Sequence, residues 1–392
     1  MKTAPIPVIL LTGFLGSGKS TLLGRILRDP RFSDTAVVVN EFGEVGLDGF
    51  LVEHSLEQTV EMTSGCLCCT IRGDVRQTLL SLHRRQAEGK VPAFERLIIE
   101  TTGLADPAPV LHTLMTEPRL ANRYMLGGVV TTVDAVTAEM TLERHAESVK
   151  QVAVADRIVL TKTDMVLDPT SKSDLEILKS DLQRLNPGAR IVDRHDAGFD
   201  LRQLFDTSLY DPATKSIDVQ RWLNSEAYED SESAHADDHQ HAHEHDHDHD
   251  HGHHHGHDHH HDDGHGHHHD INRHGDDIEA FSLVFDEPIS STAFTFALDL
   301  LISSKGADLL RVKGILNILD KPETPVVIHG VQHVFHDPVW LDAWPDTDRR
   351  SKIVFITRGI SKATVKTLFD AITTLASSRE ETEPELEPEP AS

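Results

Sequence analysis

The residues best placed to do chemistry begin with Gly13-Phe14-Leu15-Gly16-Ser17-Gly18-Lys19-Ser20, which fits the spacing G-x-x-x-x-G-K-[ST]. An apolar run precedes this loop and a helical pattern, TLLGRIL, follows it, which is the context such a loop requires. Glycines let successive N–H groups turn toward phosphate oxygens at a helix N-terminus, where the dipole favours anions. Gly13, Gly16, Ser17, Gly18 and Thr21 would line a nucleoside triphosphate. Lys19 would reach its β- and γ-phosphates, and the Ser20 hydroxyl would ligate Mg²⁺. The bland reading, a glycine turn with a chance lysine, accounts for neither flank.

Two further segments read as parts of the same site. RLIIETTG ends an apolar run in Glu100, followed by Gly103. A carboxylate at the end of a buried strand can hold the Mg²⁺ shell, and a glycine backbone can approach the γ-phosphate. Lys19 and Glu100 are therefore the candidates for catalysis. IVLTKTD supplies Thr161, Lys162 and Asp164. An Asp there would accept hydrogen bonds from guanine N1–H and its 2-amino group, donors that adenine lacks. Lys162 would lie along the base. Asparagine is the commoner first residue of this motif, so Thr161 is a departure. A surface Lys-x-Asp ion pair is the plainer alternative.

All three cysteines, Cys66, Cys68 and Cys69, fall within four residues. A disulfide framework spreads its cysteines along the chain, so this cluster reads as a thiolate metal site, with a redox pair or structural thiols as alternatives. Flanking Gly65, Gly73 and Asp74 suggest a loop. An incomplete ligand set suits delivery better than permanent structure. From His235 to His274 lie 20 of the 28 histidines, interleaved with Asp. Such tracts bind Zn²⁺, Ni²⁺, Co²⁺ and Cu²⁺ through neutral imidazole with modest selectivity. His329, His333 and His336 lie near one strand and read as separate surface or core residues.

Strands and helices must position these groups. Apolar runs at 8–13, 35–40, 96–101, 126–134, 157–162 and 189–194 alternate with helical stretches. That pattern predicts an α/β fold with a mostly parallel sheet covered on both faces. The expected domain spans residues 1–225. Residues 226–277 lack the apolar content to fold and read as a disordered metal-binding linker. Residues 278–378 regain a core pattern and predict a small α+β domain, with strands at 279–285, 309–319, 325–335 and 352–359 and helices at 291–303 and 362–375. Residues 379–392 read as an acidic disordered tail. The net charge of −27 argues against nucleic acid or an anionic membrane as partner and suits the handling of cations, although it also serves solubility. With no long apolar run and no leader-like start, the cytoplasm is the expected compartment.

The motifs TGFLGSGKST, VNEFGEVGLD (39–48), SGCLCC (64–69), IETTGLADP (99–107), TVDA (132–135), TKTD (161–164) and RVKGILNI (311–318) together resemble the CobW-like family of P-loop GTPases. The resemblance spans nearly all of the chain. It implies a P-loop GTPase domain followed by a small α+β domain, with GTP, Mg²⁺ and a transition metal as ligands. Zn²⁺ is the usual metal of this branch; Co²⁺ or Ni²⁺ remain open. It also implies that the metal sits on the C-x-C-C cysteines and passes to a client metalloprotein during the GTP cycle. Asn40-Glu41-Phe42-Gly43 would then belong to a switch loop, with Glu41 as a carboxylate near one of the metals. A metal buffer with regulatory GTP binding, a cobalt chaperone and a small-molecule kinase are the competing readings, and a homo-oligomer is open to any of them.

Overall fold

Unbroken β-branched and aliphatic runs make strands that must be covered on both faces, and the GTPase-like half is built from them. In a computed structural model, residues 5–40, 59–61, 67–70, 74–166, 169–205, 277–345 and 347–380 are described. The expectations for Glu41, Cys66, the histidine-rich segment through residue 276 and the tail beyond residue 380 lie outside the described residues.

The first sheet contains β1 (Ile6–Gly13), β2 (Thr35–Asn40), β3 (Thr59–Glu61), β4 (Leu67–Thr70), β5 (Arg96–Thr101), β6 (Tyr124–Asp134), β7 (Arg157–Thr161) and β8 (Arg190–Asp193). Their order is β3-β4-β2-β5-β1-β6-β7-β8. Among the described strands of this sheet, only the edge strand β3 runs antiparallel to its neighbour. Alternation along β1 divides the core. Val8 and Leu10 pack toward α2 (Val75–Ala87) and α3 (Ala108–Thr116), while Ile9 and Leu11 meet Leu22, Leu23, Ile26 and Leu27 of α1 (Lys19–Arg28). The short helices α4 (Pro118–Ala121), α5 (Ala138–Arg144) and α6 (Ala146–Ala153) and the longer α7 (Pro169–Leu185) complete the covering layers. The chain leaves β1 toward β2 on one side, and its later strands β6 to β8 lie on the other. The loop after β1 therefore sits at the switch point, where ligands bind in open α/β sheets.

The second sheet is antiparallel: β9 (Ile278–Phe285), β10 (Leu309–Leu316), β11 (Val326–Val331), β12 (Val334–Phe335), β13 (Val339–Trp340) and β14 (Ser351–Arg358). One face, with Phe281, Val312, Ile353 and Phe355, packs under α8 (Ser291–Lys305) and α9 (Lys362–Glu380). The opposite face, with Ala280, Leu310, Val354 and Ile356, packs on Ala153 of α6 and Leu185 of α7. Burial of both faces explains why β10 is covered along its whole length.

Three sequence expectations change. The run 325–335 is a hairpin, with Gln332 at φ 54°, where one strand was expected. A Cβ on Gly330 would lie 2.5 Å from the Phe335 ring, so the hairpin closes over a glycine. Cys68 and Cys69, expected in a loop, have their backbone in β4, paired in parallel with β2. Strand pairing along β2 overrides the turn signal of the flanking glycines. The last helix runs to Glu380, two residues into the expected tail.

Candidate nucleotide site and the adjoining cysteine strand

The Gly-rich loop earns its glycines by geometry. Gly13, Gly16 and Gly18 have φ of 140°, 74° and 91°, a region that L side chains rarely adopt. A Cβ on Gly13 would sit 2.4 Å from the Thr132 carbonyl oxygen. The loop opens directly into α1, whose first turn carries no acidic residue. The helix N-terminus therefore keeps its positive end for an external anion. Lys19 is buried and folds over the loop, its Nζ donating to Gly13 O at 2.7 Å and Phe14 O at 3.1 Å. Ser20 and Thr21 are exposed at the helix start.

Ser17 behaves differently from its loop neighbours. Its hydroxyl is buried and shares a 2.6 Å hydrogen bond with Thr132 Oγ1 on β6. That side chain fastens the loop to the sheet. Thr161 does the same from β7. It is fully buried, and its hydroxyl donates to Ser17 O at 2.8 Å, with Val133 O at 3.2 Å. The threonine that departs from the usual asparagine thus still grips the loop.

Glu100, at the end of β5, is 5% exposed and accepts a 3.1 Å hydrogen bond from Ser20 Oγ. Two oxygen donors thus meet at the opening of α1, a donor set that fits a hard cation such as Mg²⁺. Gly103 lies against the loop itself, since a Cβ there would be 2.6 Å from Leu15 N. Backbone cannot yield cheaply, so this close approach selects glycine.

At the base end, Lys162 is in the left-handed region at φ 58° and its Nζ lies 2.5 Å from Asp134 Oδ2. A non-glycine residue held at positive φ marks a position whose surroundings over-determine it. Asp164 stands on the short turn 163–165, exposed, with its Oδ1 3.1 Å from His195 Nε2. The structure thus brings Lys19, Ser20, Glu100, Gly103 and Thr161–Asp164 around one end of the parallel sheet.

The cysteine strand borders this end. Cys69 is in register with Val38 on β2, and Val38 with Ile99, the residue before Glu100. Two strand spacings, roughly 10 Å, separate β4 from β5. Among the described residues no group of three or more His, Cys, Asp or Glu side chains is arranged to hold a metal. The three C-terminal histidines form no metal-holding group among the described residues. His329 is buried, His333 packs edge-on against His112 with ring centroids 4.8 Å apart, and His336 Nδ1 contacts Asp337 O.

Sequence reasoning missed Gln151 and His195, and gave Asp134 no role beyond its place in TVDA. Gln151, fully buried on α6, donates to Gly103 O at 3.2 Å and Ala105 O at 3.1 Å, holding the segment after β5. Asp134 carried a signal, a carboxylate ending the apolar strand TTVD. The other two carried none, because only the fold brings them near.

A strand, a glycine-rich turn and a helix, with a carboxylate-ended neighbouring strand, define a P-loop nucleotide-binding protein. Residues 7–193 match the family described as CobW/HypB/UreG, nucleotide-binding domain, and residues 278–373 match the cobalamin synthesis protein cobW C-terminal domain. The chain belongs to this CobW family of P-loop GTPases. It is 30% identical over 352 residues to the zinc chaperone YjiA of Escherichia coli, covering 90% of this chain and 94% of that protein. It is 32% identical over 196 residues to zinc-regulated GTPase metalloprotein activator 1 of Schizosaccharomyces pombe, covering 48% and 46% respectively. The crystal structure of Zn(II)-bound YjiA GTPase from E. coli superimposes with a TM-score of 0.64 at 27% identity, covering 94% of this chain and 99% of that one.

Proposed function

We propose that the chain is a GTP-hydrolysing metallochaperone that carries zinc on Cys66, Cys68 and Cys69 and releases it to a client metalloprotein. The observation that carries this reading is the shared register of β4, β2 and β5, in which only β2 lies between the cysteine strand and the strand ending in Glu100. Likeness to a zinc chaperone over 90% of the chain supports zinc as the cargo.

In this reading the backbone N–H groups of Gly16 to Ser20 cradle the phosphates. Lys19 exchanges its loop carbonyls for β- and γ-phosphate oxygens. Ser20 and Glu100 would hold Mg²⁺, which when bound would supply charge neutralisation at the phosphates. Gly103 approaches the γ-phosphate through its backbone. Thr161 keeps the loop seated while Asp164 reads guanine. Catalysis then rests on positioning and electrostatics, so turnover without a client is slow. Glu41, which follows β2 in the sequence, is in this reading a carboxylate near Mg²⁺ or the transition metal.

Phosphate release from GTP with Mg²⁺ present tests the hydrolytic part. Slow turnover is expected from the wild type, with a loss of tenfold or more in Lys19→Ala and in Glu100→Gln. Turnover equal in all three proteins would show that this site does not carry the chemistry.

A further inference from the structure

The base-reading end of the site contains a residue that neither the motifs nor the comparisons assign. Asp164 is poorly restrained by its own turn. Its side chain is 57% exposed, and the turn spans only 163–165. A carboxylate so placed samples several rotamers, and a ligand that needs both of its oxygens must then bear the cost of ordering it.

The loop after β8 removes that freedom. Asp193, the last residue of β8, accepts two hydrogen bonds on Oδ1. One comes from Thr163 Oγ1 at 2.7 Å and the other from the backbone N–H of His195 at 2.8 Å. A single carboxylate oxygen therefore ties the turn 163–165 to the loop that carries His195. Arg194 N adds a bond to Leu160 O at 3.0 Å, which fixes that loop against β7. The consequence is the 3.1 Å contact between His195 Nε2 and Asp164 Oδ1, made by residues 31 positions apart. Lys162, on the other side of the turn, is itself held by Asp134.

We propose that His195 is a positioning residue for base recognition: its Nε2–H holds the Asp164 carboxylate in the orientation that accepts guanine N1–H and the 2-amino group. The inference rests on the reading of Asp164 as the guanine-selecting residue. A carboxylate oxygen has two acceptor directions, so Oδ1 can keep His195 while it also receives a base donor. The histidine does not touch the nucleotide in this arrangement. It raises selectivity by presenting a preformed acceptor pair, at a site where adenine offers no matching donors.

Titration calorimetry on the full chain with Mg²⁺ and GDP, IDP or ADP tests this, because IDP keeps N1–H and lacks the 2-amino group. Wild type is expected to bind GDP more tightly than IDP and both more tightly than ADP. A wild type without that order would overturn the guanine reading and the inference with it. With the order present, His195→Ala is expected to weaken GDP about tenfold and IDP less, narrowing the GDP-to-IDP ratio, with ADP unchanged. His195→Gln, whose amide can donate to the same oxygen, is expected to recover most of the ratio. Unchanged GDP binding in His195→Ala would overturn the role of His195. So would equal weakening of all three nucleotides, which would mark the histidine as a structural part of its loop, and so would failure of the Gln variant to recover.

Discussion

The Thr161 hydroxyl is fully buried and donates to Ser17 O, so one methyl-sized change at this position removes the tie between β7 and the phosphate loop. Thr161→Val keeps the shape and leaves the Ser17 carbonyl without that donor. Stranding a buried acceptor costs about 1–3 kcal/mol. The expected outcome is a melting temperature a few degrees lower and GDP affinity about tenfold weaker. Thr161→Ser, which keeps the hydroxyl, should stay close to wild type in both. Calorimetric binding and thermal melts of the two variants check this, and a Val variant indistinguishable from wild type would remove Thr161 from the site. At the same scale, the Ser17 side chain has a structural partner of its own. Its hydroxyl belongs to the sheet through Thr132, although its place in the loop suggests a ligand contact.

At the scale of elements, the parallel half was legible because its physics is local. Buried strands show as continuous apolar runs, and β1, β2, β5 and β6 fall where TLLGRIL, Glu100 and the TVD end require them. The phosphate loop was legible for the same reason, since its glycines, lysine and flanking elements are consecutive. Beyond that reach the signals fail for identifiable causes. The hairpin at Gln332 has no strong turn dipeptide, and what fixes it is Phe335 packing over Gly330. β4 is four residues long and draws its strand state from pairing with β2, so a reading of its own residues favours a loop. Gln151 and His195 reach their partners across 48 and 31 positions. No spacing rule spans such gaps, and the likeness to a family names the motif residues while leaving their supports unnamed.

At the scale of the whole molecule, the two sheets meet over a buried charge. Asp156, between α6 and β7, bonds Arg311 and, at 2.7 Å, Lys313 of β10, with His329 beside them on β11. Burial pushes the Asp156 carboxyl up, but Arg311 and Lys313 outweigh it and hold the group well below the usual carboxylate range. Burial, then the charges of Arg311 and Lys313, push His329 well below the ordinary 6.5. The unfolded chain therefore takes a proton below about pH 6.5 that the folded His329 refuses, and stability falls as pH drops. The slope from one such group approaches about 1.4 kcal/mol per pH unit. Asp156 adds its own loss only below its unfolded value of 3.8. Melting temperatures of wild type and His329→Gln at pH 7 and pH 5 should show a smaller drop in the variant. The other histidines are common to both proteins, so equal drops would contradict a neutral buried His329.

The proposed control of cysteine-held metal by nucleotide state draws its support from the register that β4, β2 and β5 share. Zinc affinity of the chain lacking residues 235–274, measured with a non-hydrolysable GTP analogue and again with GDP, tests it most directly. A clear difference between the two nucleotide states is expected, and it should disappear in the Cys66→Ser, Cys68→Ser, Cys69→Ser protein. Equal zinc affinity with either nucleotide, in a chain that binds both, would contradict it.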